Sequence, residues 1–299
     1  MLNAKNIARF LPKSLRTLSQ LPRRVRTLEG DLQHLCALVL RERYAALAAR
    51  QVVGLNDFEM KVYSQGGEDG LLLYIFSQIG AASRCFVEFG IGDGRQCNTA
   101  NLSINFGWEG LLMECDQQKA DTARQFYAEK LAQRAPSVQI AHCLVTAENI
   151  NQILAHHGLI GEIDLLSIDI DGNDYWVWKA ITTVQPRVVL VEYNASLGTE
   201  EALTVKYDPN FDRFAKHPSG YYHGASLAAF ATLARSKGYY LVGCNSEGVN
   251  AFFVREDVGR QKLRALSVQE AYFPNARRTA RVSLNQQLAL IRTMDFERV

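Results

Sequence analysis

Residues 85–94, CFVEFGIGDG, carry a short apolar, aromatic run into a loop with glycine at positions 90, 92 and 94. The run reads as a buried strand. Glycines at this spacing let the backbone turn tightly and approach a ligand that side chains would block. A dinucleotide fingerprint needs glycine at its first, third and sixth positions, and the sixth from Gly90 is Arg95, so a pyrophosphate site fits poorly.

Outward from this loop, strand and helix signals alternate. A helix is expected near 95–106, a second strand at GLLMECD (110–116) and a helix over 117–134. A third strand follows at SVQIAHCLV (137–145), with a helix over 147–157. A fourth lies in LLSIDIDGNDYWVW (165–178), its helix starting at YWVWKAI, and RVVLVEYN (187–194) is the fifth. Upstream, SQGGEDGLLLYIFSQIG (64–80) reads as a helix opened by Ser64 or Gln65 and closed by Gly80. Downstream of a polar, aromatic segment at 195–223, residues 226–238 read as a helix and 239–256 as two strands joined by a turn. Such alternation predicts a doubly wound α/β domain with a parallel sheet covered on both faces.

Ligands bind such sheets beyond the C-terminal strand ends, where the strand order reverses. The first strand ends in Glu88 and the glycine loop, the second in Glu114 and Asp116. An acid after the second strand can take both ribose hydroxyls through charge-assisted hydrogen bonds. A nucleoside site without a pyrophosphate fingerprint points to S-adenosylmethionine (SAM) rather than NAD.

The fourth strand delivers Asp169, Asp171 and Asp174. A calcium loop is excluded, since Gly172 and Ala180 fall where an EF-hand needs other residues. Asp169 and Asp171 should point to one side, and two close carboxylates must gain a proton or share a cation. Glu192 and Asn194 end the fifth strand with the same spacing. Four oxygen ligands there would suit Mg²⁺ or another oxygen-preferring divalent ion. The alternative is that Asn173 and Asp174 cap the following helix while Asp169 and Asp171 bind loop amides. Trp176 and Trp178 read as helix-to-sheet packing.

The segments YSQGGEDG, FVEFGIGDG, GLLMECD, LLSIDIDGNDYWVWKAI…PRVVLVEYN, YHGASL and VNAFFVR occur in an order that resembles the FkbM-type class I SAM-dependent methyltransferases. The resemblance spans about Tyr63 to Arg255. It implies a Rossmann-like, mostly parallel seven-stranded sheet and methyl transfer, often to a sugar hydroxyl of a glycan, glycoconjugate or natural product. It assigns Glu88, Gly90, Gly92 and Gly94 to the cofactor loop, Glu114 with Asp116 to the ribose, and the HCLVTAEN segment, with Thr146, to the adenine. Metal-dependent O-methyltransferases are similar at the ends of strands four and five, which adds Mg²⁺ or Mn²⁺ held by Asp169, Asp171, Glu192 and Asn194. Many members carry lysine just before the first aspartate and glutamate in place of Asp171, whereas this chain has Ser167 and Ile168 before Asp169.

On the acceptor side, a long loop of aromatic and polar residues suits sugar faces and hydroxyl edges, with Tyr207, Tyr222 and His223 as contacts. His223 joins Asp169 and Asp171 as a catalytic candidate, because it precedes a glycine and the helix cap at Ser226.

Three segments follow: a basic helical extension at 1–60, the methyltransferase domain at 61–256 and a C-terminal extension at 257–299. Residues 1–50 hold 10 Lys/Arg against 3 Asp/Glu, although the whole chain of 299 residues has net charge +2. Val25, Leu28, Leu32, Leu35 and Val39 repeat at heptad spacing over barely two heptads. The arm therefore suits a homodimer or higher oligomer, or docking at a membrane surface or glycan-assembly machinery. Nucleic acid is not an expected partner, because the remaining body is acidic. Six scattered cysteines, no C-x-x-C pair and no apolar run of membrane-spanning length fit reduced, buried thiols in a cytoplasmic protein. The competing class is a non-catalytic, methyltransferase-like scaffold acting through the arm.

Overall fold

A computed structural model describes residues 54–131 and 138–299, together with Thr27, Leu28, Leu35, Leu38 and Val39. Of the heptad positions, Leu28, Leu35 and Val39 are helical and exposed; Val25 and Leu32 lie outside the described residues.

Seven strands form one sheet: β1 Cys85–Phe89, β2 Glu109–Glu114, β3 Val138–His142, β4 Gly161–Ile168, β5 Val184–Glu192, β7 Tyr239–Cys244 and β8 Asn250–Arg255. Their order is β3-β2-β1-β4-β5-β8-β7. The first five are mutually parallel, and β8 runs antiparallel to both β5 and β7. This is the doubly wound, Rossmann-like sheet that the sequence predicts. The direction of winding reverses between β1 and β4, which puts a crevice above their C-terminal ends.

The central strands β1, β4 and β5, with β8 and β7, bury both faces, so their runs are almost continuously apolar, whereas β3 at the edge is only half-buried. Val87, Leu166, Val189 and Phe253 face one core with Trp178 and Phe230. Phe86, Leu165, Leu190 and Phe252 face the other. The crossovers are α1 Glu68–Ile79, which leads into β1, then α2 Ala100–Phe106, α3 Gln117–Leu131, α4 Ile150–His156 and α5 Asp174–Ala180. Trp178 packs against Phe230, Tyr239 and Phe253, as expected of a core residue.

Several expectations change. Helix α1 starts at Glu68, after Gly67 in the left-handed region, not at Ser64 or Gln65. The reason is Asp69, whose carboxylate collects the amides of Val62, Tyr63 and Ser64 and the Ser64 hydroxyl at 2.7–2.9 Å, folding 62–67 into a loop. The segment 195–223 is structured too. It holds β6 Leu203–Val205 and α6 Arg213–Lys216, followed by α7 Leu227–Ser236. After β8 the chain makes four short helices, α8 Glu256–Gly259, α9 Val268–Ala271, α10 Ala276–Thr279 and α11 Leu284–Ile291. It then returns so that β9, Phe296–Arg298, pairs antiparallel with β6. The C-terminal tail is thus part of the domain. Among the described cysteines all are free, and Cys115 is exposed rather than buried. Among the described residues no helix is long and apolar enough to cross a membrane.

One buried acid ties the bottom of the sheet together. Asp164, fully buried in β4, accepts from the amides of Ala82, Ser83 and Arg84 at 2.6–2.9 Å, and Arg187 Nε lies 3.2 Å from it. Truncation would release three loop amides and leave the mostly buried Arg187 guanidinium without its carboxylate. Asp164→Ala is expected to cost about 3–5 kcal/mol in chemical denaturation, with a loss under about 1 kcal/mol counting against this role.

Candidate active site

The crevice at the switch point is a cavity of about 660 Å³, a size suited to a cofactor-sized ligand. Its floor is the glycine loop. Gly90 adopts φ +79° and donates to Met113 O. A Cβ there would lie 1.4 Å from Asp169 O, so only glycine lets the loop cross the end of β4. Gly92, φ +56°, lines the cavity and has no protein atom within 4 Å of where its side chain would be. Two acids hold the loop. Glu88 is buried and accepts from Asn98 N, Thr99 N and Thr99 Oγ1 at 2.8, 2.9 and 2.5 Å. Burial raises its pKa, and those donors oppose the rise. Glu114 accepts from Gly92 N at 2.7 Å and from Asp116 N at 3.0 Å. A carboxylate offers about four lone-pair directions, so Glu114 keeps capacity for ligand hydroxyls. Cys143, Leu144 and Val145, after β3, supply an apolar side wall.

Not every predicted cofactor residue reaches the cavity. Gly94, φ +78°, faces α3, where a Cβ would meet Ala123 Cβ at 2.8 Å. Asp116 turns away and accepts from Lys119 N at 3.0 Å, opening α3. Thr146 lies beyond the wall, where its hydroxyl accepts from Asn149 N.

Beside the glycine loop, the ends of β4 and β5 bring Asp169, Asp171 and Glu192 onto the same cavity. Burial pushes the Asp169 pKa well up, reinforced by the charge of Glu192 and a hydrogen bond with it. Glu192 is pushed up to about 7, by burial and by the charges of Asp171 and Asp174. The two carboxyls act as a pair that retains a proton near neutral pH. Asp171 is separate. It sits at φ +59°, half turned to solvent, and pairs with Arg213, which also donates to Gly220 O. Asp174 does not cap its own helix. It accepts from Ile170 N and Gly172 N at 2.9 and 3.0 Å, so it bonds the loop amides that Asp169 and Asp171 were the alternative candidates to hold.

Four predicted residues change role. Asn194 is fully buried and saturated: its amide donates to Tyr221 O and His223 O, and its oxygen accepts from Ser196 N and Arg278. It cannot ligate a metal. Tyr222 is buried and donates to Asp295 O, and Tyr207 donates to Glu148 outside the cavity, so neither touches an acceptor there. His223 is 1 % exposed. Its Nε2 lies 2.9 Å from Arg278 Nη2, and arginine only donates. Nε2 is therefore the acceptor nitrogen, and Nδ1 carries the hydrogen. Burial, with the charges of Arg213 and Arg278, holds the His223 pKa well below the usual imidazole range. The residue is neither an accessible base nor a free ligand.

The same geometry tests a metal. Asp171, Glu192 and His223 offer ligand atoms within 4.8 Å of one another. The set does not fit a divalent ion as it stands, because Nδ1 bears a hydrogen, Asp171 is paired with Arg213, and Asn194 is consumed.

Other cavity residues carried no assignment in the sequence. Glu68 accepts from Gly66 N and from the amides of Asn245 and Asn250 at 2.7–2.8 Å, binding the SQGGED loop to the β7–β8 turn. Phe211 lies so close to Gly172 that a Cβ there would meet its ring at 2.3 Å. Asn275, Arg277 and Arg278 come from the C-terminal tail. Glu68 lay in view inside a quoted motif; the tail residues had no local signal beyond their basic cluster.

A family model described as "Methyltransferase FkbM domain" matches residues 78–239, more than half of the chain. The chain belongs to the FkbM methyltransferase family. The FkbM match covers β1 to β5, the glycine loop and the acid cluster, and stops before the tail that supplies Arg278. The chain is also similar to the O-methyltransferase from Bacillus cereus in complex with S-adenosylhomocysteine (SAH), at 17% identity over 74% of this chain and 88% of that one, TM-score 0.39. It is similar to the N-terminal domain of EvdMO1 with SAH bound, at 15% identity over 72% and 94%, TM-score 0.40. A third is magnesium protoporphyrin IX methyltransferase from Synechocystis PCC 6803 with bound SAM, at 10% identity over 63% and 77%, TM-score 0.40. These likenesses are too distant to bear on substrate. No curated protein matches the chain.

Proposed function

We propose that this FkbM methyltransferase transfers the methyl group of SAM to a sugar hydroxyl of a glycan, glycoconjugate or natural product. The observation that carries the reading is one shared cavity lined both by the glycine loop with Glu114 and by the Asp169–Glu192 carboxyl pair. The sulfonium of SAM makes its methyl carbon electrophilic. What the chain must supply is position and a proton acceptor, because a sugar hydroxyl is a poor nucleophile at neutral pH. Glu114 and the backbone at Gly92 hold the nucleoside end. Asp169, at the cavity surface, takes the hydroxyl proton as the oxygen–carbon bond forms and the sulfur–carbon bond breaks. Glu192 shares the proton the pair already holds, so the pair passes from one negative charge to none as it accepts the second.

Phe211 offers a ring face, and Asn245, Asn250, Asn275 and Glu247 offer polar edges, a lining that suits a sugar. The Mg²⁺ or Mn²⁺ that the resemblance allows has no step in this reading, since His223 and Asn194 do not fit it.

The test is calorimetric titration with SAM, followed by incubation with isotope-labelled SAM and a panel of glycosides, scored for O-methyl products by mass spectrometry. Binding with label on oxygen supports the proposal; no SAM binding, or label on nitrogen, removes it. Glu114→Ala is expected to weaken SAM binding about tenfold to a hundredfold, from two lost charge-assisted hydrogen bonds. An unchanged affinity would leave Glu114 a loop brace only.

A further inference from the structure

Two buried polar atoms face each other without a hydrogen-bond partner: Glu192 Oε2 and His223 Nδ1, 3.9 Å apart. Their arrangement traces to the C-terminal tail. Arg278, on α10, reaches back under β5 and donates to His223 Nε2 at 2.9 Å, while its other amino group lies 3.3 Å from Asn194 Oδ1 and 3.4 Å from Ser196 Oγ. Its guanidinium stacks 5.5 Å over the Tyr221 ring. The backbone beside it is fixed, since Tyr193 Oη donates to Phe273 O at 2.6 Å and Tyr272 Oη to Ala195 O at 2.7 Å.

We propose that Arg278 is a positioning residue for the carboxyl pair and is incompatible with a divalent metal at His223: it fixes His223 as the Nδ1–H tautomer, so that this N–H is aimed at Glu192 Oε2. The inference rests on the reading of Asp169 and Glu192 as the proton acceptor. An arginine has no acceptor atom and keeps its charge at every accessible pH. Where it meets a neutral imidazole it therefore dictates which ring nitrogen keeps the hydrogen, a role usually taken by a carboxylate or carbonyl on the other nitrogen. A metal on Nδ1 would force the hydrogen onto Nε2, against the Arg278 N–H. The tail and a metal at His223 are thus mutually exclusive. With Arg213 on Asp171, two guanidinium groups supply the positive charge around the three acids. The Nδ1–H, directed at Glu192 Oε2, favours negative charge on the carboxyl pair, the charge the pair needs in order to accept a proton.

The experiment is long-range proton–nitrogen NMR on the full chain labelled with ¹⁵N-histidine, with His223→Gln used to assign the resonance. Wild type is expected to show His223 neutral with hydrogen on Nδ1, unchanged by millimolar Mg²⁺ and not selectively broadened by Mn²⁺. Arg278→Met should release the tautomer, with an Nε2–H population appearing, and Arg278→Lys should restore much of the lock. An Nε2–H tautomer in wild type, or selective Mn²⁺ broadening of His223, would overturn the inference. If Arg278→Met does not fold, the wild-type spectrum with and without metal still decides. SAM titration of the same sample separates this outcome from failure of the methyltransferase reading: the tautomer can be wrong while SAM binds, and the reverse.

Discussion

Asp169→Asn is expected to lower turnover by about a hundredfold to ten-thousandfold, the range for loss of a positioned general base, while SAM affinity stays within about threefold, far less than the loss of a direct charge-assisted contact. The separation follows from position. Asp169 pairs with Glu192 rather than with Glu114 or Gly92, and its amide still donates to Phe89 O in the variant. Single-turnover methylation with labelled SAM reads the first effect and calorimetry the second. Loss of both together would make Asp169 part of the cofactor site; loss of neither would leave the proton acceptor elsewhere.

The same substitution should stabilise the protein. Asp169 and Glu192 both have pKa values raised in the folded state, so the folded chain holds protons that the unfolded chain has released. Their contribution is fully present below the unfolded carboxyl range near pH 4 and is lost as pH rises through their folded values, near 7 for Glu192. Asp69 and Asp174, each raised to about 6, share that sign and make wild-type stability fall over the same interval. Only the difference between variant and wild type isolates the pair. Asp169→Asn should melt a few degrees above wild type at pH 8 and by a smaller margin at pH 5, with about 1 kcal/mol corresponding to 2–4 °C in a domain of this size. An equal shift at both pH values would show that the two acids do not retain a proton. Lower activity with higher stability is the expected signature of a site that keeps like charges together for chemistry.

The fold was legible because its signals are local and repeated. Each parallel strand except the edge strand β3 is an apolar run long enough to be buried on both faces, and glycine or an acid ends β1, β2 and β4 where the crevice opens. The lower-order features of the site were legible for the same reason: Glu88, Gly90, Gly92 and Glu114 sit at strand ends, and their placement needs only the sheet. Asp169 and Glu192 were readable as neighbours from strand position alone. Period-two alternation failed one step later, at Asp171, because the chain has left the strand by then and turns through a positive φ. Asn194 fails likewise: two residues past Glu192 it enters a 3-10 turn at Ala195–Leu197 and caps it, accepting from Ser196 N. The largest gap was Arg278. A basic cluster in a tail of short helices has no periodicity to report where it docks. Its hydrogen-bond partners lie 55 to 84 positions earlier. His223 could not be assigned without it, since the tautomer depends on the guanidinium.

Two glycines of the cofactor loop should respond oppositely to the same substitution. Gly90→Ala adds a methyl group 1.4 Å from the Asp169 carbonyl oxygen, a backbone atom carried by a central strand, at a residue already in the left-handed region. Neither β1 nor β4 can retreat without breaking the ladder that joins them, so the loop must detach. Overpacking of about 1–3 kcal/mol and left-handed strain of about 1–2 kcal/mol add to a loss near 3 kcal/mol or more, a melting temperature on the order of 10 °C lower. SAM binding should fall with it, since Gly92 and its bond to Glu114 ride on the same turn. At Gly92 a methyl group meets no protein atom within 4 Å, so only the backbone term applies. Gly92→Ala should therefore melt within a few degrees of wild type, yet lose affinity for SAM more than tenfold, because the added carbon occupies the space through which the ligand approaches Gly92. Thermal melts and SAM calorimetry on the two variants check both halves. Unchanged affinity in Gly92→Ala would move the ligand off this loop, and a wild-type melt for Gly90→Ala would mean that β4 can yield where the geometry says it cannot.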